Sequence, residues 1–263
     1  MNTFVRAQTV SYCHASVTFV CLEAELAFLF PSSPARPHAG RIPSIVAHPG
    51  LPVLVAAWGI LLAASVFQDA LGLDHEARVW FLDVDVERSF YTWFSQLLLA
   101  FTGLMLVDTG VKAAVQSRVT GVEFVLLGGI FFLLSADEAL SFHEAASTRL
   151  SGVRGLHFAW VMPAAIICAA GLAAAVPFLR QLGPRVRLMM LVAAGVFLFG
   201  ALGVEAIGGE VLLAAGEDVL ARPYRLLVNL EEGAEGLGVI LFLFALTRHR
   251  TDTGMAPGIT LFR

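Results

Sequence analysis

The stretch Phe124–Glu144, FVLLGGIFFLLSADEALSFHE, decides how the chain is read. A bilayer core of about 30 Å takes about 20 helical residues to cross. This segment is uncharged only over Phe124–Ala136, so it spans only if Asp137, Glu138 and His143 are counted in. Two later stretches pose the same problem. Leu188–Ile207 carries Glu205 near its end, and the apolar run Gly236–Thr247 is preceded by LEEGAE, with Glu231, Glu232 and Glu235. An ionisable side chain at membrane depth costs about 2.5–3.5 kcal/mol on insertion scales and is read as a functional position.

The rest of the chain agrees with a membrane solvent. Hydrophobic residues make up 57% of the 263 residues and charged residues 14%, and the mean hydropathy is +0.77. Such a balance lies outside that of soluble domains. Leu51–Phe67, Phe90–Val107 and Leu156–Leu179 supply three uncharged spans, which with the acid-bearing segments make about six. The predicted fold is therefore all-α, a polytopic transmembrane helix bundle. Residues 1–48 read as a poorly ordered extension, with an amphipathic interfacial helix over Ser16–Phe30 as the alternative. Residues 49–250 form the six-helix domain and 251–263 a cytoplasmic tail.

Arginines orient the bundle by the positive-inside rule. Arg36 and Arg41, Lys112 and Arg118, Arg180, Arg185 and Arg187, and Arg248 and Arg250 stand almost without acids, whereas the other loops mix arginines with Asp and Glu. Both termini are thus expected inside. Counted from the inner arginines, Glu235 lies roughly 20 Å, Glu232 roughly 24 Å, Glu205 roughly 27 Å and Asp137 roughly 28 Å along their helices. The acids converge in the outer third of the bilayer. Asp108 and Glu123 fall at inner helix ends, where a solvated role is expected.

Several classes are excluded. The formal charge of -4 includes no basic face for nucleic acid. Lys112 is the only lysine, so no intramembrane Schiff base is available, and Cys13, Cys21 and Cys168 lack metal or disulfide spacing. An inverted repeat fails, because the acids of the last helix fall early and outside.

What the acids do is left open among three chemistries. Arginines could neutralise them: Arg225 for Glu232, and Arg149 or Arg154 for Asp137, Glu138, Glu144 and Glu205. Oxygen ligands with one imidazole, His143, also suit a divalent metal such as Mg²⁺, Ca²⁺ or Mn²⁺ or a carboxylate-bridged pair. The two Glu-x-x-His pairs of di-metal bundles are only partly matched. Facing carboxylates can also share a proton, as a relay needs. On a helical wheel continued past Leu140, Asp137, Ser141 and Glu144 share a face. In the last helix Arg225, Asn229 and Glu232 line one stripe and Glu231 and Glu235 another. The small-residue runs GALGVEAIGG (200–209) and GAEGLG (233–238) permit close helix approach. The loop VWFLDVDVERSFYTWFS (79–95) alternates acids as an extended strip would. It reads as a solvated loop with Ser89 capping the next helix, or as a lid over the acids, and Trp80, Phe81, Tyr91 and Trp93 suit an interfacial aromatic belt.

ADEALSFHEA (136–145), LEEGAEGLG (230–238) and the acidic run before YTWFS together resemble a group of uncharacterised bacterial six-helix inner-membrane proteins. The resemblance covers about residues 51–250. It implies the same fold and membrane, gives weight to Asp137, Glu138, His143, Glu144, Glu232 and Glu235, and carries no activity. Where that group more often has Gly and Pro, this chain has Val86 and Arg88-Ser89. Intramembrane CAAX-type proteases and ceramidase-like hydrolases are rejected, since their further histidines are missing.

Three functions follow as expectations. The first is a carboxylate site for a cation or proton, open to the outer face, serving transport, permeation or sensing; a divalent metal ion is its candidate cofactor. The second is a metal-dependent enzyme acting on a lipid-borne substrate. The third is a non-catalytic subunit whose acids are paired with arginines. The expected partners are the lipid bilayer and the cation or proton, with a homo-oligomer left open.

Overall fold

The computed structural model describes residues 50–150 and 159–259, apart from the side chains of Glu144 and Leu150. The expectations for residues 1–48, for Arg154 and for the Glu144 side chain lie outside these described residues. Among them the structure is helical throughout, with no strand.

Helix α1 (Gly50–Leu71) is followed by a short 3-10 turn (Trp80–Leu82), α2 (Phe90–Ala113), α3 (Arg118–Leu140) and α4 (Phe142–Leu150). After residues 151–158 come α5 (Val161–Ala174), α6 (Val176–Gln181), α7 (Pro184–Leu198), a π-helical segment (Phe199–Val204), α8 (Glu205–Ala214) and α9 (Arg222–Asp252). Five stretches are long and apolar enough to cross a bilayer: Gly50–Leu71, Phe90–Ala113, Arg118–Leu140, Val161–Gln181 and Pro184–Ala214. The chain is a multi-pass membrane protein by this measure, and α9, with 31 residues, is long enough to be the sixth span at about 1.5 Å per residue.

The helix boundaries have local causes. Ser89 caps α2 as expected, accepting from the Thr92 amide at 3.1 Å. Ser117 caps α3 in the same way. Ala175 separates α5 from α6, where Pro177 at the start of α6 cannot donate to the preceding turn.

Helix three does not run through to Glu144 as one helix. Ser141 ends it in the left-handed region (φ 51°), with its amide 2.7 Å from the Asp137 carbonyl. A non-glycine residue there is disfavoured; its hydroxyl is held by a hydrogen bond to the Glu87 carboxylate, from the loop before α2. The wheel that placed Glu144 beside Asp137 therefore ends at Ser141.

Helices α2 and α3 form a close antiparallel pair, since a Cβ on Gly110 would fall 2.6 Å from the Gly121 carbonyl and one on Gly128 would fall 2.9 Å from that of Gly103. Small residues at such crossings let backbones approach in the membrane. The same device joins α7 to α9, where a Cβ on Gly238 would meet the Phe197 backbone nitrogen at 2.7 Å.

The helix with most charge in the expected set is the one most enclosed. Helix α9 packs against α1, α2, α7, α8 and the π segment, whereas α1 buries only Leu51, Ser65 and Gln68. A helix surrounded by protein is the place for polar side chains in a membrane fold. Its far end overturns one expectation. Asp108 is not solvated but buried, 2.7 Å from Arg250 and 2.6 Å from Lys112. Arg250, one of the arginines that mark the inner end, is 0% exposed. Its guanidinium also donates to Thr109 Oγ1 (2.7 Å) and to the carbonyls of Ala256 and Gly258 (both 2.8 Å), so the chain after α9 folds back onto it.

Gly238→Ala is expected to destabilise the bundle by about 1–3 kcal/mol through overpacking, read as a lowered thermal midpoint in detergent. Gly195→Ala, with nothing within 4 Å of its Cβ position, is the control and should leave stability unchanged or raise it by about 0.5–1 kcal/mol.

Candidate functional site

The site begins with a neutralised cluster at the start of α9. Arg225, 3% exposed, reaches Asp69 at the end of α1 (3.0 Å) and Asp83 and Asp85 in the following loop (2.6 and 2.9 Å). Arg78 binds Asp83 at 3.0 Å and pairs with Asp69 as well. Asn229, one turn on, donates to Asp69. The loop is thus not an extended strip: it folds into turns, much of it stays exposed, and Asp83 is drawn inward by the two guanidinium groups.

This cluster corrects the pairing expected for Glu232, because the partners of Arg225 are the three aspartates. Among the described residues Arg78 and Arg225 are the cations paired with them, which leaves one carboxylate in excess. Asp85 carries the consequence: removal from water pushes its carboxyl up from 3.8 to about 6, outweighing the attraction of Arg225, with Asp83 adding to the rise.

Beside the cluster lies a cavity of about 660 Å³. Asp137, Glu138, His143, Glu205, Glu231, Glu232 and Glu235 all line it, so helices α3, α4, α8 and α9 bring together every expected site residue except Glu144, whose side chain is outside the described residues. Asp85 and Glu87 join from the loop. Among the described residues no lysine or arginine lines the cavity.

Each acid reaches its place by an identifiable route. The π segment ends at Glu205, and its wider turn presents that carboxylate inward, where the Trp160 indole donates to it at 2.6 Å. Glu138 accepts a long hydrogen bond from Ser95 (3.4 Å), and its backbone carbonyl accepts from Gln96 (3.1 Å). Asp137 pairs with the His143 imidazole at 3.0 Å and accepts the His143 amide at the same distance. That imidazole, rather than Arg149, is its partner; Arg149 is exposed.

Glu231, Glu232 and Glu235 are half-buried, and their carboxylates make no hydrogen bond or ion pair among the described residues. Their depth is fixed by small neighbours. A Cβ on Gly200 would fall 2.7 Å from the Glu231 carbonyl and 3.0 Å from Glu235 Cγ. A Cβ on Gly236 would fall 2.7 Å from the Tyr91 hydroxyl. Tyr91 is itself buried, not in an aromatic belt, and donates to the Glu232 carbonyl. Trp80, Phe81 and Trp93 do stand exposed.

Chemically the cavity offers many carboxylates with little positive charge to meet them. No three His, Cys, Asp or Glu side chains among the described residues are close enough to form a ready-made metal site. Apart from Thr92, Ser147 and Thr148, the remaining walls are apolar or aromatic, including Leu99, Leu134, Phe197, Leu202, Trp160 and Tyr224. The sequence reading did not single out Trp160, Phe197 or Tyr224: nothing local marks Trp160 as a partner of Glu205.

A family profile described as a domain of unknown function, DUF8692, matches residues 50–249. The chain belongs to this family. DUF8692 thus covers every acid of the cavity and both arginines of the neighbouring cluster, an extent in keeping with the resemblance to an uncharacterised membrane family. No curated protein and no solved structure matches the chain.

Two outcomes test the cluster. Arg225→Met removes one partner of a buried ionic group and should destabilise by about 3–5 kcal/mol, measured by chemical or thermal unfolding in detergent. The second is a pH dependence. Because folding raises the Asp85 carboxyl from 3.8 to about 6, its contribution to stability is full below the unfolded value and is lost as pH rises through the folded one. Between about pH 4 and about pH 6, the native protein should therefore lose stability relative to Asp85→Asn, and the gap should be constant at higher pH.

Proposed function

We propose that this is an integral protein of the bacterial inner membrane, with both ends of the bundle domain on the cytoplasmic side. Its cavity opens outward and binds a cation or proton, for transport, permeation or sensing. One observation carries the reading: the carboxylates of Glu231, Glu232 and Glu235, with Glu138 and Glu205, face a single cavity that no lysine or arginine lines among the described residues. At an effective dielectric of about 20, two unit charges about 5 Å apart repel by roughly 3 kcal/mol. Carboxylates gathered at such spacing do not all stay ionised without positive charge, and Arg78 and Arg225 of the neighbouring cluster are engaged by Asp69, Asp83 and Asp85. The balance must come from protons or from a bound cation, a divalent metal ion being one candidate. Glu138, Glu205, Glu231, Glu232 and Glu235 would be the carriers or ligands, with Asp137, His143 and Glu144 beside them.

The same facts weigh against the acids serving only as structural partners of arginine. A metal-dependent enzyme acting on a lipid-borne substrate is the second reading. It is favoured by the cavity's size and apolar walls, which suit an organic substrate, with the metal activating water.

The test joins Glu138→Gln to Glu232→Gln. In proteoliposomes, cation- or pH-driven flux should fall at least about tenfold, equivalent to 1.4 kcal/mol, and any stoichiometric metal in the purified protein should be lost. Flux and metal content unchanged in the double variant would overturn the reading.

A further inference from the structure

We propose that the cavity is built for an organic ammonium ion, an amine with an apolar body, and not for a bare metal ion. This rests on the cation reading of the same cavity and specifies its ligand.

Three observations lead there. The first is size: 660 Å³ falls within the range of about 300–1,000 Å³ typical of small-molecule sites, whereas a metal ion is held by ligands drawn to about 2.0–2.6 Å. No three candidate ligands among the described residues are gathered that tightly. The second is the wall. Trp160, Tyr224 and Phe197 line the cavity together with the acids, and aromatic faces attract ammonium groups, which they do best when the cation is poorly hydrated. The third is the remaining lining: the hydroxyl-bearing residues Thr92 and Ser147 stand among apolar side chains, the sparse polar complement by which a small-molecule site orients its ligand.

The lining also selects among ammonium ions. A phospholipid headgroup would bring a phosphate next to the ammonium, and a lining of carboxylates with no lysine or arginine among the described residues repels it. The ligand is accordingly a cation with no anion attached, its charge among Glu231, Glu235 and Glu205 and its body against the apolar and aromatic wall.

Calorimetric titration of the full chain in a non-ionic detergent tests this, with tetrapropylammonium, magnesium and sodium chlorides as probes. The native protein is expected to bind tetrapropylammonium saturably. Glu235→Gln should weaken it at least tenfold and Trp160→Leu several-fold, both variants keeping a cooperative thermal transition. Binding of magnesium or sodium lost in Glu235→Gln, without tetrapropylammonium binding, would overturn the organic-cation inference and leave the cation reading standing. No glutamate-dependent binding of any probe, together with unchanged flux in the Glu138→Gln, Glu232→Gln protein, would overturn both. Tetrapropylammonium binding equal in the native and Glu235→Gln proteins would identify partitioning into detergent and overturn the inference.

Discussion

The two buried guanidinium groups of α9, Arg225 near its start and Arg250 near its end, are the charges on which the rest of the bundle depends. A buried arginine cannot shed its charge, so its position is tenable only where acids and carbonyls converge on it. Arg225 gathers Asp69 from the end of α1 and Asp83 and Asp85 from the next loop. Arg250 gathers Asp108 and Thr109 from α2 and the carbonyls of Ala256 and Gly258. One helix is thereby fastened to its neighbours at two points some 37 Å apart along its axis. The neighbours can then present nearly uniform apolar faces outward, as α1 does.

Between these points the helix is lined for close approach rather than for charge balance. Gly233, Gly236 and Gly238 admit Leu62, Trp58 with Tyr91, and Phe197 respectively, and Gly200 of the π segment admits the α9 backbone. Such contacts hold α9 by packing, the principal force between helices where no water is present to be expelled. The glutamates interspersed with these glycines point toward the remaining side, and there the bundle leaves a cavity instead of a partner helix. Their burial and their lack of arginine partners thus have one cause: the helix is fixed by other residues, and the glutamates are not needed to fix it.

Much of this was legible in the chain before its structure. Hydropathy and the length needed to span a bilayer gave the helical class and the spans, because both are properties of a segment alone. The convergence of Asp137, Glu138, Glu205, Glu231, Glu232 and Glu235 followed from counting rise along each helix from its inner arginines. What the count could not supply was partnership. Glu232 and Asp83 are equally plausible mates for Arg225 by type, and only the fold of the loop decides between them. The break at Ser141 carried no glycine or proline signal, since its left-handed turn is secured by Glu87, 54 positions away. Asp108 at an inner helix end reads as solvated, because charge there usually is, and Arg250 reads only as a mark of the inner side. Their burial depends on α2 and α9 lying side by side, which no local pattern encodes.

Asp85 connects the two halves of the argument. Its carboxylate binds Arg225 at 2.9 Å and also lines the cavity, so it belongs both to the cluster that is balanced and to the group of acids that is not. Positive charge entering the cavity would therefore act on a residue that Arg225 already holds. If the cavity takes up a cation as proposed, then by linkage protonation of Asp85 and cation binding alter one another's affinity by the same factor. The loop that carries Asp85 is anchored by Arg78 and Arg225 and also holds the end of α3 through Glu87 and Ser141. The loop that closes the fold at this end thus also lines the cavity through Asp85 and Glu87, which ties the stability of the bundle to the charge state of those two acids.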